Sequence, residues 1–262
     1  MIHLRKVEFK RSRSQHYPFN IPLIKNLKEI EFRTPVTILV GENGSGKSTI
    51  LEGIAASIEL PTIGSYEISK DTTLVSAKSF SDKIKLVWNI PVHRGFFLRA
   101  EDFFGFIKNL KELNEELVEQ KLDYENRFEG YAKLLTVGST QANINELQRR
   151  YSQDADAFSH GESFLNLFQK RIVPKGLYIL DEPEVPLSPK KQLSLISLIK
   201  DSIAKNCQFI IATHSPILLA FPGATIYSIE EDKIIERNYG DLEHVTLTRD
   251  FLNSPESFLK HL

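Results

Sequence analysis

The sequence contains very little cysteine. Cys207 is the only cysteine among 262 residues, which excludes an internal disulfide and a metal cluster built from cysteines. It follows polar Asn206 and precedes Gln208 and the apolar run FIIA. We therefore interpret Cys207 as a small side chain packed next to a core strand.

Long apolar runs are also missing. The longest, FIIA at 209–212 and PILLAF at 216–221, are far shorter than the roughly 18 residues that a membrane span needs. The first ten residues, MIHLRKVEFK, are mixed and charged and lack the apolar region of a secretory signal. We expect a soluble, cytoplasmic protein without membrane insertion.

The chain has no excess of charge of either sign. Its 33 Lys and Arg residues and 34 Asp and Glu residues give a formal net charge of −1. Such a balance provides no global positive field that would attract nucleic acid or an acidic membrane. A local basic patch at 5–13 is the remaining feature compatible with DNA binding.

Apolar runs of strand length alternate with amphipathic runs of helix length. The sequence predicts helices after the GENGSGKST segment and at 189–206, and it predicts strands at 2–9, 34–40, 83–90, 176–180, 207–213 and 224–230. This alternation is typical of an α/β fold with parallel strands at the centre of its sheet. Residues 60–80 are predicted to be loop with some strand, and the tail at 245–262 to hold one short helix.

A segment rich in helix formers interrupts this alternation. It predicts a helical insert at about 104–157 within a single domain, 1–262, whose core is formed by 1–103 and 158–262. The apolar periodicity fades after two or three turns, which favours an amphipathic helix pair packed on the core over a coiled-coil arm.

The segment GENGSGKS at 41–48 fits the phosphate-loop pattern G-x-x-x-x-G-K-[ST] without a mismatch. It lies between a β-branched run and a helical run, so backbone N–H groups and a helix N-terminus can surround a phosphate. Lys47 can reach the β- and γ-phosphates, Ser48 can ligate Mg²⁺, and Thr49 can contact the α-phosphate. The predicted nucleotide contacts are Gly41, Glu42, Asn43, Gly44, Ser45, Gly46, Lys47, Ser48 and Thr49.

Two further predicted strands end in residues that suit phosphate chemistry. LYILDEPE at 177–184 places Asp181 to hold Mg²⁺ through water and Glu182 to act as the general base for an attacking water. His214 follows the apolar run IIAT and is predicted to contact the γ-phosphate or to position the water. The alternatives are an acidic turn and a structural histidine, and the phosphate loop upstream favours the functional interpretation.

The stretch FSHGES at 158–163 has Ser159 and Glu162 three residues apart before an apolar run. This is the capping-box pattern of a helix N-terminus. The stretch itself does not decide whether this helix start only satisfies its own N–H groups or also faces a phosphate.

Four motifs follow one another along the chain: the phosphate loop at 41–49, FSHGE, LYILDE and His214. In this order they resemble the motifs of the ABC-type ATPase domains. The resemblance spans about 40–216 and implies a P-loop NTPase with a mainly parallel core sheet, an N-terminal antiparallel β part and an inserted helical subdomain. It also implies ATP and Mg²⁺ as ligands, and a head-to-tail homodimer that closes around two ATPs. In such a dimer FSHGE faces the γ-phosphate held by the second subunit, with Ser159, Gly161 and Glu162 at the contact. The chain departs from the family pattern at His160, where the family has Gly, and at Ser188, where it often has Asp.

Two family elements have only candidate residues. Between 93 and 104, where the family has a glutamine loop, Glu101 could lie near the metal and Arg99 could touch phosphate; the alternative is a polar helix start. In the loop after the first strand, Arg11 and Arg13, with His16 and Tyr17 beside them, could contact the base and ribose. The alternative there is a solvated basic loop that touches nucleic acid.

The motif DEPE, with Glu184, resembles that of the soluble branch of the superfamily. This branch includes SMC-like, recombination-type and stand-alone bacterial AAA-type ATPases. The resemblance implies an ATPase switch that drives an unidentified partner protein or a DNA transaction, in some cases as part of a toxin or defence system. Two alternatives stay open, which are an ATP-gated binding module with little turnover and the nucleotide-binding subunit of a transporter.

Overall fold

A computed structural model of the chain describes residues 1–62, 72–151 and 160–260. The strands are β1 (Leu4–Phe9), β2 (Glu29–Glu31), β3 (Val36–Val40), β4 (Ile84–Trp88), β5 (Gly95–Arg99), β6 (Leu177–Asp181), β7 (Gln208–Ala212), β8 (Thr225–Glu230) and β9 (Lys233–Arg237). The helices are α1 (Pro22–Asn26), α2 (Lys47–Ile58), α3 (Thr72–Ser81), α4 (Ala100–Arg127), α5 (Gly130–Tyr151), α6 (His160–Arg171), α7 (Pro189–Ala204), α8 (Pro216–Leu219), α9 (Glu243–Asn253) and α10 (Pro255–Leu259). A 3-10 turn at Tyr239–Asp241 precedes α9.

A six-stranded sheet with the order β5-β6-β7-β3-β8-β9 forms the centre of the molecule. All neighbouring strands in it run parallel except β8 and β9, which form an antiparallel hairpin at one edge. Strands β3, β6 and β7 are buried along their whole length, as expected for parallel strands covered on both faces. The carboxyl ends of these three strands therefore meet at one edge of the sheet.

A smaller antiparallel sheet, with the order β2-β1-β4, lies beside the large one. The fold prediction of a mainly parallel sheet with an antiparallel N-terminal part is confirmed. One apolar cluster covers one face of the large sheet and includes Phe164 and Phe168 of α6. A second cluster lies between the other face, α2 and the small sheet.

The structure differs from the local predictions at four places. Residues 72–81 form a helix rather than loop, because Ala77 and Phe80 are buried and α3 packs on α2. Strand β5 was missed because its short run GFFLR begins with a glycine and was interpreted as part of a loop. The edge strand β9, which lies outside the predicted set, has a mostly exposed and polar sequence, and the tail contains two helices instead of one.

Helices α4 and α5 pack against each other as a long pair. They occupy most of the segment for which the sequence predicts a helical insert, although α4 begins slightly earlier, at Ala100; the last predicted residues, 152–157, lie outside the described ones. Within 1–62, 72–151 and 160–260, no helix is long and apolar enough to cross a membrane.

Candidate functional site

The phosphate loop connects the carboxyl end of β3 to the start of α2. Gly44 and Gly46 have φ values of 79° and 99°, which residues with a Cβ rarely adopt, so the glycines are required by the turn itself. The Lys47 ammonium donates to the carbonyl oxygens of Gly41 at 2.7 Å and Glu42 at 2.9 Å. Lys47 is only 4% exposed, and burial lowers its pKa. The loop thus holds a desolvated cation beside the N-terminus of α2.

Ser48 and Asp181 meet next to this loop. Asp181 is the last residue of β6, and the Ser48 hydroxyl donates a hydrogen bond to its carboxylate. Burial raises the pKa of Asp181 to about 7, and the Ser48 hydrogen bond opposes this shift. One carboxylate oxygen of Asp181, Oδ1, is buried and has no hydrogen-bond partner in the described part of the chain.

These two residues fit Mg²⁺ as partial ligands. Mg²⁺ prefers oxygen ligands and is commonly bound by one or two protein groups together with substrate phosphates and waters. Among the described residues, no group of three or more His, Cys, Asp or Glu side chains could hold a metal ion alone. The arrangement therefore suits a metal shared with a phosphate rather than a closed protein site.

Glu182 and His214 face each other across the ends of β6 and β7. The shortest distance, 3.7 Å from His214 Nε2 to Glu182 Oε1, is too long for a hydrogen bond. Glu182 adopts a left-handed φ of 50°, a conformation that costs a non-glycine residue energy and recurs at functional sites. This turn exposes the side chain of Glu182 to 39%, so the carboxylate is accessible to a water molecule.

Glu184 binds the backbone next to this pair. Its carboxylate accepts hydrogen bonds from the His214 backbone N–H at 2.8 Å and from the Thr213 hydroxyl. Burial raises the pKa of Glu184 and lowers the pKa of His214. The predicted soluble-branch residue thus fixes the backbone that carries His214.

A cavity of about 620 Å³ opens beside the first half of the phosphate loop. The other walls come from the β8–β9 hairpin and the start of α9, and His244 of α9 approaches His214. Six of the residues that line it are Gly41, Glu42, Asp241, Leu242, Glu243 and His244.

The start of α6 lies away from this cavity. A Cβ on Gly161 would approach the Pro186 carbonyl oxygen to 3.1 Å, and Glu162 Oε1 accepts from Lys191 Nζ at 2.8 Å. Neither residue is among the described residues that line the phosphate-loop cavity. Ser159 lies outside the described residues, as does its capping-box partnership with Glu162.

The glutamine-loop candidates are placed differently from one another. Arg99 pairs with Asp181 in the β5–β6 register, but its guanidinium binds Asp102 at 2.9 Å and Glu52 at 3.0 Å. Glu101 is exposed in the first turn of α4. The structure thus brings Arg99 near Asp181, the predicted Mg²⁺ residue, but the ionic contacts of Arg99 are to Glu52 and Asp102. Glu101 has no buried position beside Ser48 or Asp181.

The basic candidates for base contact, Arg11 and Arg13, are exposed. Arg11 lines a separate cavity of about 330 Å³ with Phe19 and Phe80, rather than the cavity at the phosphate loop. In the same segment the Tyr17 hydroxyl lies 3.1 Å from Thr49 Oγ1, which ties this loop to α2. Tyr17 thus contacts the residue that is predicted to contact the α-phosphate.

Sequence reasoning missed His244 and Glu52. His244 follows its partner by thirty residues and belongs to no motif, and Glu52 stands in an ordinary helical run. Only the tertiary structure brings them to the site.

The fold and the site together define a P-loop ATPase domain of the ABC type, as the sequence predicts. The family model described as AAA domain, AAA_23, matches residues 19–171, more than half of the chain. The chain belongs to this family.

Individual relatives are distant. The cobalt import ATP-binding protein CbiO of Salmonella typhimurium is 24% identical over 250 residues, covering 89% of this chain and 84% of CbiO. A nucleotide-free ATP-binding cassette from an ABC transporter has a TM-score of 0.50 at 16% identity, with 95% and 96% of the two chains covered. The Smc head domain of Pyrococcus furiosus, solved with the C-terminal domain of ScpA, has a TM-score of 0.48 at 15% identity, with 96% of this chain and 100% of its own covered.

Proposed function

We propose that the chain is a Mg²⁺-dependent switch that binds and hydrolyses ATP, and that two copies close head to tail around two ATPs to drive a partner protein or a DNA transaction. The observation that carries the proposal is the meeting of Lys47, Ser48, Asp181, Glu182 and His214 at one edge of the parallel sheet. Ligands bind at this edge in open α/β folds.

Each residue has a role that follows from its position. The loop N–H groups, the α2 N-terminus and Lys47 bind the β- and γ-phosphates. Ser48 and Asp181 would hold Mg²⁺, which would neutralise charge on the phosphate oxygens. Glu182 accepts the proton of the attacking water, and His214 donates from Nε2 to a γ-phosphate oxygen.

The head-to-tail dimer rests on the resemblance of FSHGE, at the start of α6, to the signature helix start of the family. Within their own chain, Gly161 and Glu162 contact α7 and the loop before it. In such a dimer this helix start would complete the ATP site of the second copy. The ion pair between Glu162 and Lys191 would then hold the orientation of that helix start from within its own chain.

The test of hydrolysis is the change Glu182→Gln, with Glu119→Gln on the exposed face of α4 as the matched control. Removing the general base should lower steady-state ATPase by about 10² or more while ATP binding persists. The control should retain wild-type activity. Tight ATP binding with no turnover in the wild type would contradict the switch and support the binding module.

The test of the dimer is the solution mass of Glu182→Gln by light scattering, with and without Mg·ATP. Doubling of the mass only with Mg·ATP supports closure around nucleotide. The double variant Glu182→Gln, Gly161→Asp places a carboxylate at the start of α6 and should stay monomeric while still binding ATP. A single-chain mass for Glu182→Gln at saturating ATP would overturn the homodimer.

The alternative hypothesis, a nucleotide-binding subunit of a transporter, has one observation in its favour, because the relative CbiO is named as an import ATP-binding protein. Association of this chain with the membrane fraction through an integral membrane partner would support it. For DNA, affinity should fall steeply with salt if Arg11 and Arg13 contact phosphates; affinity that does not change between low and physiological salt would contradict such contacts.

A further inference from the structure

We propose that His244 is a positioning residue for the ATPase reaction, which fixes the tautomer of His214 by donating a hydrogen bond from its Nε2 to His214 Nδ1. His214 then carries its proton on Nε2, the atom that faces Glu182. The consequence for phosphate binding rests on the proposed function, while the histidine pair itself does not.

The geometry of the pair is specific. His214 Nδ1 and His244 Nε2 are 3.3 Å apart, and the ring centroids are 5.3 Å apart with a tilt of 47°. A stacked pair would bring faces together, whereas here two ring nitrogens point at each other. One nitrogen must donate and the other accept, because two N–H groups or two lone pairs repel.

The surrounding elements hold His244 in this position. Leu242 and Val245, on either side of it, are 3% and 5% exposed and belong to the apolar core. The Thr248 hydroxyl donates to the His244 carbonyl oxygen at 2.7 Å, within the first turns of α9. His214 is fixed from the other side by the hydrogen bond between its backbone N–H and Glu184.

The opposite ring nitrogen decides the direction of the hydrogen bond. His214 Nε2 is buried, has no hydrogen-bond partner in the described part of the chain, and lies 3.7 Å from a Glu182 carboxylate oxygen. A bare lone pair at Nε2 would face this carboxylate and repel it, whereas an N–H group is attracted. A neutral imidazole has only one N–H, so Nδ1 is the acceptor and His244 is the donor.

The charges around His214 favour the neutral ring. Burial lowers its pKa, nearby Lys47 and His244 act in the same direction, and Glu182 opposes them. A neutral ring makes the choice of tautomer decisive, since a doubly protonated ring would present an N–H at both nitrogens regardless of His244.

The tautomer is measured directly by long-range ¹H–¹⁵N correlation NMR on the intact protein at about pH 8, where a neutral ring predominates. His214 signals are assigned by comparison with His214→Gln. We expect Nε2–H and a bare Nδ1 in the wild type, and a mixture of tautomers in His244→Leu. A bare Nε2 in the wild type, or an unchanged tautomer in His244→Leu, would overturn the inference.

Steady-state kinetics test the effect on the reaction. His244→Leu should lower kcat about 10-fold with little change in KM for ATP, because binding by the phosphate loop is retained. His244→Gln places an amide N–H near the position of Nε2 and should recover most of kcat. The exposed His93→Leu is the matched control and should match the wild type. Equal kcat for the Leu and Gln variants would mean that hydrogen-bond donation is not the role of His244.

Failure of the histidine pair and failure of the proposed ATPase function give different results. If the wild type does not hydrolyse ATP, the proposed function fails while the NMR result still decides the histidine pair. If the wild type hydrolyses ATP and His244→Leu changes neither the tautomer nor kcat, the inference fails while the proposed function stands. Thermal unfolding of each variant identifies any loss of activity that comes from loss of the fold.

Discussion

Replacing Gln208 by Met should destabilise the protein strongly, because Gln208 joins the two sheets. It is the first residue of β7 in the large sheet and is fully buried. Its side-chain carbonyl accepts from the N–H groups of His3 at 2.8 Å and Leu4 at 2.9 Å, and its amide donates to the Leu4 carbonyl oxygen at 2.9 Å. Methionine has a similar volume, so the change removes the polar contacts without creating a large cavity.

The expected magnitude follows from the three backbone groups that lose their partner. A buried polar group left unsatisfied costs about 1–3 kcal/mol. Local shifts and the gain from removing a buried amide recover part of this, so we expect a loss of about 3–6 kcal/mol in the free energy of unfolding. Such a loss lowers Tm by on the order of 10 °C and is a large part of a typical total stability of about 5–15 kcal/mol.

The assay is urea unfolding followed by far-UV circular dichroism, with thermal unfolding as a second readout. Gln120→Met is the matched control, because Gln120 is exposed on α4 and its amide donates to the Tyr124 hydroxyl in the same helix. The control should lie within about 0.5 kcal/mol of the wild type. A free energy of unfolding for Gln208→Met within about 1 kcal/mol of the wild type would refute the reasoning, since leaving three buried groups unsatisfied should cost more than that.

Three other positions, Gly95, Gly138 and Tyr178, give further expectations. Gly95→Ala should lower the free energy of unfolding by more than about 3 kcal/mol, because Gly95 has φ 139° and an added Cβ would overlap the Leu177 carbonyl of β6. Gly138→Ala in α5, where a Cβ has open space, should instead raise it by about 0.5–1 kcal/mol. Urea unfolding of both variants checks this, and equal stability of the two would contradict it. Burial raises the pKa of Tyr178 to about 12, above the pKa of about 10 that a tyrosine has in the unfolded chain. The contribution of Tyr178 to the free energy of unfolding is therefore fully present below about pH 10. It falls by about 1.4 kcal/mol per pH unit as the pH rises from 10 towards 12. The stability difference between the wild type and Tyr178→Phe should therefore shrink over that window, and a difference that stays constant from pH 9 to 11 would count against the raised pKa.

The sequence predicts well where local pattern and function coincide. The phosphate loop reads correctly as strand, glycine turn and helix, because Gly44 and Gly46 are needed for the turn and the flanking runs differ in periodicity. Asp181 and His214 were placed at the ends of buried strands for the same reason, since an apolar run that stops at a polar residue marks a strand end. The error at α3 arises because burial of Ala77 and Phe80 selects the helix, and β9 was missed because its pairing with β8, not its local pattern, makes it a strand.

The sequence by itself therefore determined the class of fold and the local parts of the site: a phosphate loop before a helix, a carboxylate pair after one strand and a histidine after another. It could do so because each part is built from residues adjacent in the chain. Only the tertiary structure decided how these parts meet: that Arg99 binds Glu52 and Asp102, that Gln208 joins two sheets, and that His244 reaches His214. Those contacts join residues whose side chains carry no local signal, and the strand order and the docking of α9 alone bring them within hydrogen-bond distance.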